Sequence, residues 1–189
     1  MSLFDDLNAA FKTWRDAYFE ERRSAASFSS KFAKGLQTYI GAPDTFPRWF
    51  QDPIQQRYVK TAALVEKQGG QYEAVEKTNP FELVQKEQDG YWSFAIQVAL
   101  EVDANTYPKQ YFGIPIHFII DAEYARMRIT SRSEGEFNFH LTDEAKNSVV
   151  YDFVVKLLLD IFKVNAPAKL LKKSPFGFLE FPLPDPSRS

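Results

Sequence analysis

The sequence predicts an α+β fold: an N-terminal helical segment, a mostly antiparallel β-meander, and a long C-terminal helix packed on one sheet face as a two-layer sandwich. Three observations carry this. Apolar residues recur every three or four positions through the first 40 residues. From residue 91 they alternate with polar or small ones. After residue 143 the helical spacing returns.

Taken in order, Ser2 is placed to cap a helix with Asp5 and Asp6 in its first turn. Leu3, Leu7, Phe11, Trp14 and Tyr18 form one stripe. After a solvated charge run, Glu20 to Arg23, the stripe Phe28, Phe32, Leu36 and Ile40 continues the helix or starts a new one, and Gly41 with Pro43 ends it. Pro43, Pro47 and Pro53 mark a loop, with Trp49 and Phe50 expected against the core. Residues 54–68 read as helix or strand. The following Tyr72-Glu73-Ala74-Val75 tips the choice to a hairpin turning at Gly69-Gly70.

Strands then follow in series. Trp92, Phe94, Ile96, Val98, Leu100 and Val102 make one core-facing row, and Phe112 through Ile120 a second. Ala125, Met127 and Ile129 mark a third strand, and Phe137, Phe139 and Leu141 a fourth. Thr142 or Asp143 begins the last helix, whose apolar face is Val150, Val154, Leu157, Leu158 and Ile161 and which ends before Pro167. A Pro-rich extended tail runs over 174–189, with Phe176, Phe178, Leu179 and Phe181 expected to pack down. The domain reading is thus one unit over 1–189, with segments 1–40, 54–141, 143–165 and 174–189.

Matching apolar faces sets an expected register. A turn at Asp121-Ala122 pairs Phe118 with Ala125 and Ile116 with Met127, leaving His117 opposite Arg126 and Pro115 opposite Arg128. A turn at Ser133-Glu134-Gly135 sets Arg128 against His140 and Arg132 against Glu136. The loop over 104–109 sets Gln97 beside His117 and Ala99 beside Pro115. One face is then apolar and takes the helices. The opposite face gathers Gln97, His117, Tyr124, Arg126, Arg128 and His140 among the small residues Ala95, Ala99 and Gly113.

Composition limits the chemistry. The 189 residues contain no cysteine, so disulfides, thiolate nucleophiles and cysteine-bound zinc are excluded, and a cytoplasmic, reducing setting is expected. The N-terminus lacks the pattern of a secretory signal, and the most apolar stretch, Val149 to Val164, is broken by Asp152, Lys156, Asp160 and Lys163, so no membrane span is expected. A net charge of −2 argues against an extended nucleic-acid track. The lysines Lys163, Lys169, Lys172 and Lys173 read as a solvated helix end.

Arg126 and Arg128 offer donor forks suited to carboxylate or phosphate. Two histidines are too few for a zinc site, and the carboxylates Glu101/Asp103 and Asp121/Glu123 border turns. No phosphate loop and no Gly-x-Ser-x-Gly elbow occur. No metal or cofactor is expected. The favoured expectation is a non-catalytic binding or regulatory protein that recognises a protein partner or an anionic ligand through the polar sheet face at Arg126, Arg128, His117, His140, Gln97 and Tyr124. One alternative is a small-molecule or nucleotide binder, or an enzyme, using His117, Arg126, Arg128 and His140. A third is a structural subunit of a larger assembly, which an exposed apolar patch would favour.

Overall fold

The structure, a computed structural model, describes residues 2–45, 57–67, 71–100, 110–129, 135–164 and 179–180. Of these, Gln71, Gln110, 161–164 and 179–180 are described as backbone only. It is an α+β fold with an antiparallel sheet.

Helix α1, Leu3–Ile40, is one uninterrupted helix of 38 residues. Both caps foreseen from the sequence are present. Ser2 and Asp5 form a reciprocal capping box, and Gly41 closes the helix in the left-handed region at φ 66°. Strands β1 (Val59–Lys67) and β2 (Gln71–Val75) form the hairpin read from the sequence, although the turn itself, 68–70, lies outside the described residues. A 3-10 turn over Pro80–Glu82 leads to the short β3 (Gln85–Lys86), then β4 (Trp92–Leu100), β5 (Gln110–Ile120), β6 (Tyr124–Ile129) and β7 (Glu136–His140). A 3-10 turn at Glu144–Asn147 enters α2, Ser148–Val164, and β8 (Leu179–Glu180) comes last.

The principal order is β2-β1-β4-β5-β6-β7, with β3 added to β4 and β8 to β5. The first half of β1 pairs with β4, Val59 against Val98, while its second half pairs with β2, Ala63 against Val75.

One face of the sheet takes both helices. Phe28 and Phe32 of α1 meet Phe94, Phe118 and Phe139, with the Phe28 and Phe118 rings 4.5 Å apart. Tyr151 of α2 joins Phe32 and Phe139, and Phe153 meets Phe137. Buried Asn147 locks α2 to the sheet. Its Oδ1 accepts from the His140 amide at 2.7 Å and its Nδ2 donates to the His140 carbonyl at 2.9 Å, so it satisfies backbone groups on the edge strand β7 as a further strand would.

Three expectations need correction. Asp143 precedes the last helical segment but makes no capping hydrogen bond. The second face of β4 is covered too: Ser93, Ala95, Gln97 and Ala99 are all buried, with Ala62, Leu64 and Ala74 of the first hairpin clustered on Ala95. Strands β4 to β7 are on the foreseen face, yet the registers differ. Phe118 pairs with Met127 and His117 with Arg128, because the turn falls at Ala122-Glu123 and not at Asp121-Ala122. Arg128 pairs with Glu136, not His140, and Ser93, not Gln97, sits opposite His117. Each error is an even number of residues, which preserves the face and moves the partner. Trp49, Phe50, Arg132, Glu101, Asp103 and the tail side chains lie outside the described residues.

Candidate functional site

The polar sheet face is organised in rows across the strands. One row runs Ser93, His117, Arg128 and Glu136, and the next sets Arg126 against Asn138. Tyr124 and His140 face each other further along, their rings edge to face at 5.6 Å. Gln97 lies opposite Gly113, four residues along β5 from His117, or about 13 Å at strand rise. The structure therefore brings His117 and Arg128 together, with Arg126 alongside, and separates them from Gln97 and His140.

Residues that the sequence reading missed complete this row. The turn between β3 and β4 closes through Gly90, left-handed at φ 87°, with the Glu87 amide donating to the Tyr91 carbonyl at 2.7 Å. It projects three side chains toward the row. Glu87 Oε1 lies 2.9 Å from His117 Nδ1, Asp89 lies 3.7 Å from Arg128, and the Tyr91 ring lies 4.0 Å below the Arg128 guanidinium. Glu136 adds a 3.1 Å contact to Arg128 Nε. Tyr72 of the first hairpin meets the His117 ring edge to face, and burial, followed by the charges of Glu87, Glu66 and Asp89, raises its pKa. The Asp89-Gly90 pair was the available sequence signal for this turn.

Glu87, His117 and Ser93 thus lie near one another, residue types that invite comparison with a hydrolytic triad. The comparison fails on geometry. No side-chain hydrogen bond joins Ser93 to His117 among the described residues, and Ser93, the second residue of β4, is laddered between β3 and β5, which occupies the amides an oxyanion would need. Nor do three metal-ligating side chains converge among the described residues.

Arg128 is neutralised by two carboxylates, so its availability to an outside anion is low. Arg126 is exposed and has no ion pair among the described residues. It borders a shallow groove of about 330 Å³ with Tyr91, Arg128, Glu136 and Asn138.

The second surface is the free half of α1. Only the helix from Tyr18 onward meets the sheet, and every residue from Leu3 to Ala17 is exposed. The reason is length. Thirty-eight residues span about 57 Å, whereas an eleven-residue strand such as β5 spans about 36 Å. The overhanging part is not polar. Leu3 is 85% exposed, Phe4 and Leu7 69%, Phe11 59% and Trp14 62%. Phe11 stacks on Trp14 at 5.9 Å, Trp14 on Tyr18 at 5.8 Å, and Tyr18 meets Trp92 at 5.9 Å, an aromatic ladder running from the free helix into the core. The stripe itself was read from the sequence; that nothing among the described residues covers it is the finding.

Comparison with family models, curated proteins and solved structures gave no match. No described helix is long and apolar enough to cross a membrane.

Proposed function

We propose that this protein is non-catalytic and works by binding another polypeptide, with the free half of α1 as the contact. The observation that carries the proposal is the apolar stripe Leu3, Phe4, Leu7, Phe11 and Trp14, exposed side by side on one rigid element. Large contiguous apolar patches of this kind mark interaction surfaces, and aromatic residues are enriched in them. The polar face supports catalysis less well, since His117 faces the Glu87 carboxylate and meets no activated nucleophile among the described residues. A second reading, recognition of an anionic group on the polar face, is favoured by exposed Arg126 at the edge of its groove.

One experiment separates the two. The tagged full chain is followed by size-exclusion chromatography of native cell extract. With α1 as the contact, Phe11→Glu with Trp14→Glu moves the protein from a larger species to the position of a free 21.8 kDa chain, and Arg126→Glu leaves migration unchanged. If Arg126→Glu shifts the protein and the α1 variant does not, the contact belongs to the polar face. If neither variant shifts it, both readings are wrong.

A further inference from the structure

Resting on the reading of α1 as a contact surface, we infer that its partner is a second copy of this chain, bound as an antiparallel helix pair over residues 3–17. The spacing is the first argument. Phe4, Leu7, Phe11, Trp14 and Tyr18 are separated by three, four, three and four residues, the 3.5-residue period of a two-helix seam. After the charged run at Glu20 to Arg23, the same heptad phase resumes at Ala25, Phe28 and Phe32, where this chain's own sheet covers it. The uncovered half thus extends a surface already used for close packing. Small Ala10 and Ala17 flank it, which lets a second helix approach closely.

Direction follows from what is already occupied. In a parallel pair the second helix would continue beside Phe28 and Phe32, where the sheet lies. An antiparallel pair overlaps only along the free halves and leaves each sheet beyond the other helix's N-terminus. Knobs-into-holes packing then sets Phe4 against Trp14 and Leu7 against Phe11 of the second copy, with Ala10 meeting Ala10 at the two-fold axis. Tyr18 stays with its own Trp92. Charge agrees with this direction. The acidic first turn, Asp5 and Asp6, comes level with the segment holding Lys12 and Arg15 in the second copy, whereas a parallel pair would stack acid beside acid.

Area is sufficient. Five large side chains, mostly exposed, present about 600 Å² per copy, or about 1,200 Å² for the pair, which reaches the lower bound of stable specific interfaces. The stacked aromatic ladder and the Ser2–Asp5 capping box hold the surface in order before association, which lowers its entropic cost.

Sedimentation equilibrium of the purified full chain tests the pairing. The expected mass is twice 21.8 kDa, falling to the single-chain mass in Phe11→Glu with Trp14→Glu while the cooperative thermal transition persists. The chain has no cysteine, so introduced ones report direction cleanly. Ala10→Cys is expected to cross-link with itself, and Leu3→Cys only with Ala17→Cys in a mixture. A purified chain that stays single at every concentration overturns the inference, as does a dimer that survives the double glutamate variant or a Leu3→Cys self-link. A single purified chain that still loses its large species in extract through the α1 variant would sink self-pairing while leaving α1 as a contact for another protein.

Discussion

The side-chain oxygen of Gln97 is buried beside Ala95 and Ala99, across from Gly113, and finds no hydrogen-bond donor among the described residues. A buried polar atom without a partner carries its desolvation cost uncompensated. Gln97→Leu, of similar volume, is therefore expected to raise stability by about 1 kcal/mol in a denaturant titration. A loss of about 2 kcal/mol or more would mean that the amide is satisfied in solution. Gln97 also shows what the sequence could and could not reveal. Alternation correctly put it on the face of His117, because parity is a property of the strand alone. Its neighbour was misplaced because register depends on the path of the connecting segment, and no hydrophobic pattern specifies how many residues a loop uses. For the same reason His117 was set against Arg126 when it meets Arg128.

At the scale of elements, α1 makes room for α2 at a position that has no side chain. A β-carbon built on Gly35 would stand 1.9 Å from the Tyr151 hydroxyl and 2.8 Å from its ring carbon, so glycine is what allows Tyr151 to lie between α1 and the sheet. Gly35→Ala is expected to cost about 1–3 kcal/mol through overpacking, despite alanine's better helix propensity. The cost should shrink in a Tyr151→Phe background, which removes the nearest atom. An equal cost in both backgrounds, measured as a double-mutant cycle, would place the strain elsewhere. Helix α1, strands β4 to β7 and α2 were legible because each carries a periodic signal, and the caps of α1 and the β1–β2 hairpin because Ser2, Gly41 and Gly69-Gly70 punctuate the sequence. Strand β3 was not, since two residues cannot show a period, and with it went the turn that brings Glu87, Asp89 and Tyr91 to the polar face. The fate of α1's first half was hidden for a different reason. A heptad stripe announces that something packs on a helix, not whether the same chain supplies it.

Across the whole molecule, sheet, α1 and α2 share one aromatic core, and Tyr151 sits at their junction, against Phe32 and Tyr39 of α1 and Phe139 of β7. Burial, and then the charge of Glu144, raises the Tyr151 hydroxyl above the ordinary tyrosine pKa. Tyr72, on the other face of the sheet, is raised as well, again chiefly by burial. The sign of the effect on stability follows from linkage. In the unfolded chain both phenols ionise near pH 10, while in the folded chain they hold their protons to higher pH. The unfolded state therefore binds fewer protons over that interval, and stability must fall as pH rises through it. The contribution is fully present below about pH 10 and is lost progressively above it. Because Tyr151 touches all three parts of the core, its ionisation should unfold sheet and helices together rather than release one helix. Thermal midpoints followed by both far- and near-ultraviolet circular dichroism are expected to coincide and to drop steeply above about pH 10. Tyr151→Phe should flatten that drop, with the remainder due to Tyr72 and to Tyr39, whose hydroxyl donates to Asp152 and is raised by that bond. An unchanged alkaline profile in Tyr151→Phe would show that another group governs it, and a far-ultraviolet transition separate from the near-ultraviolet one would show that α2 detaches on its own.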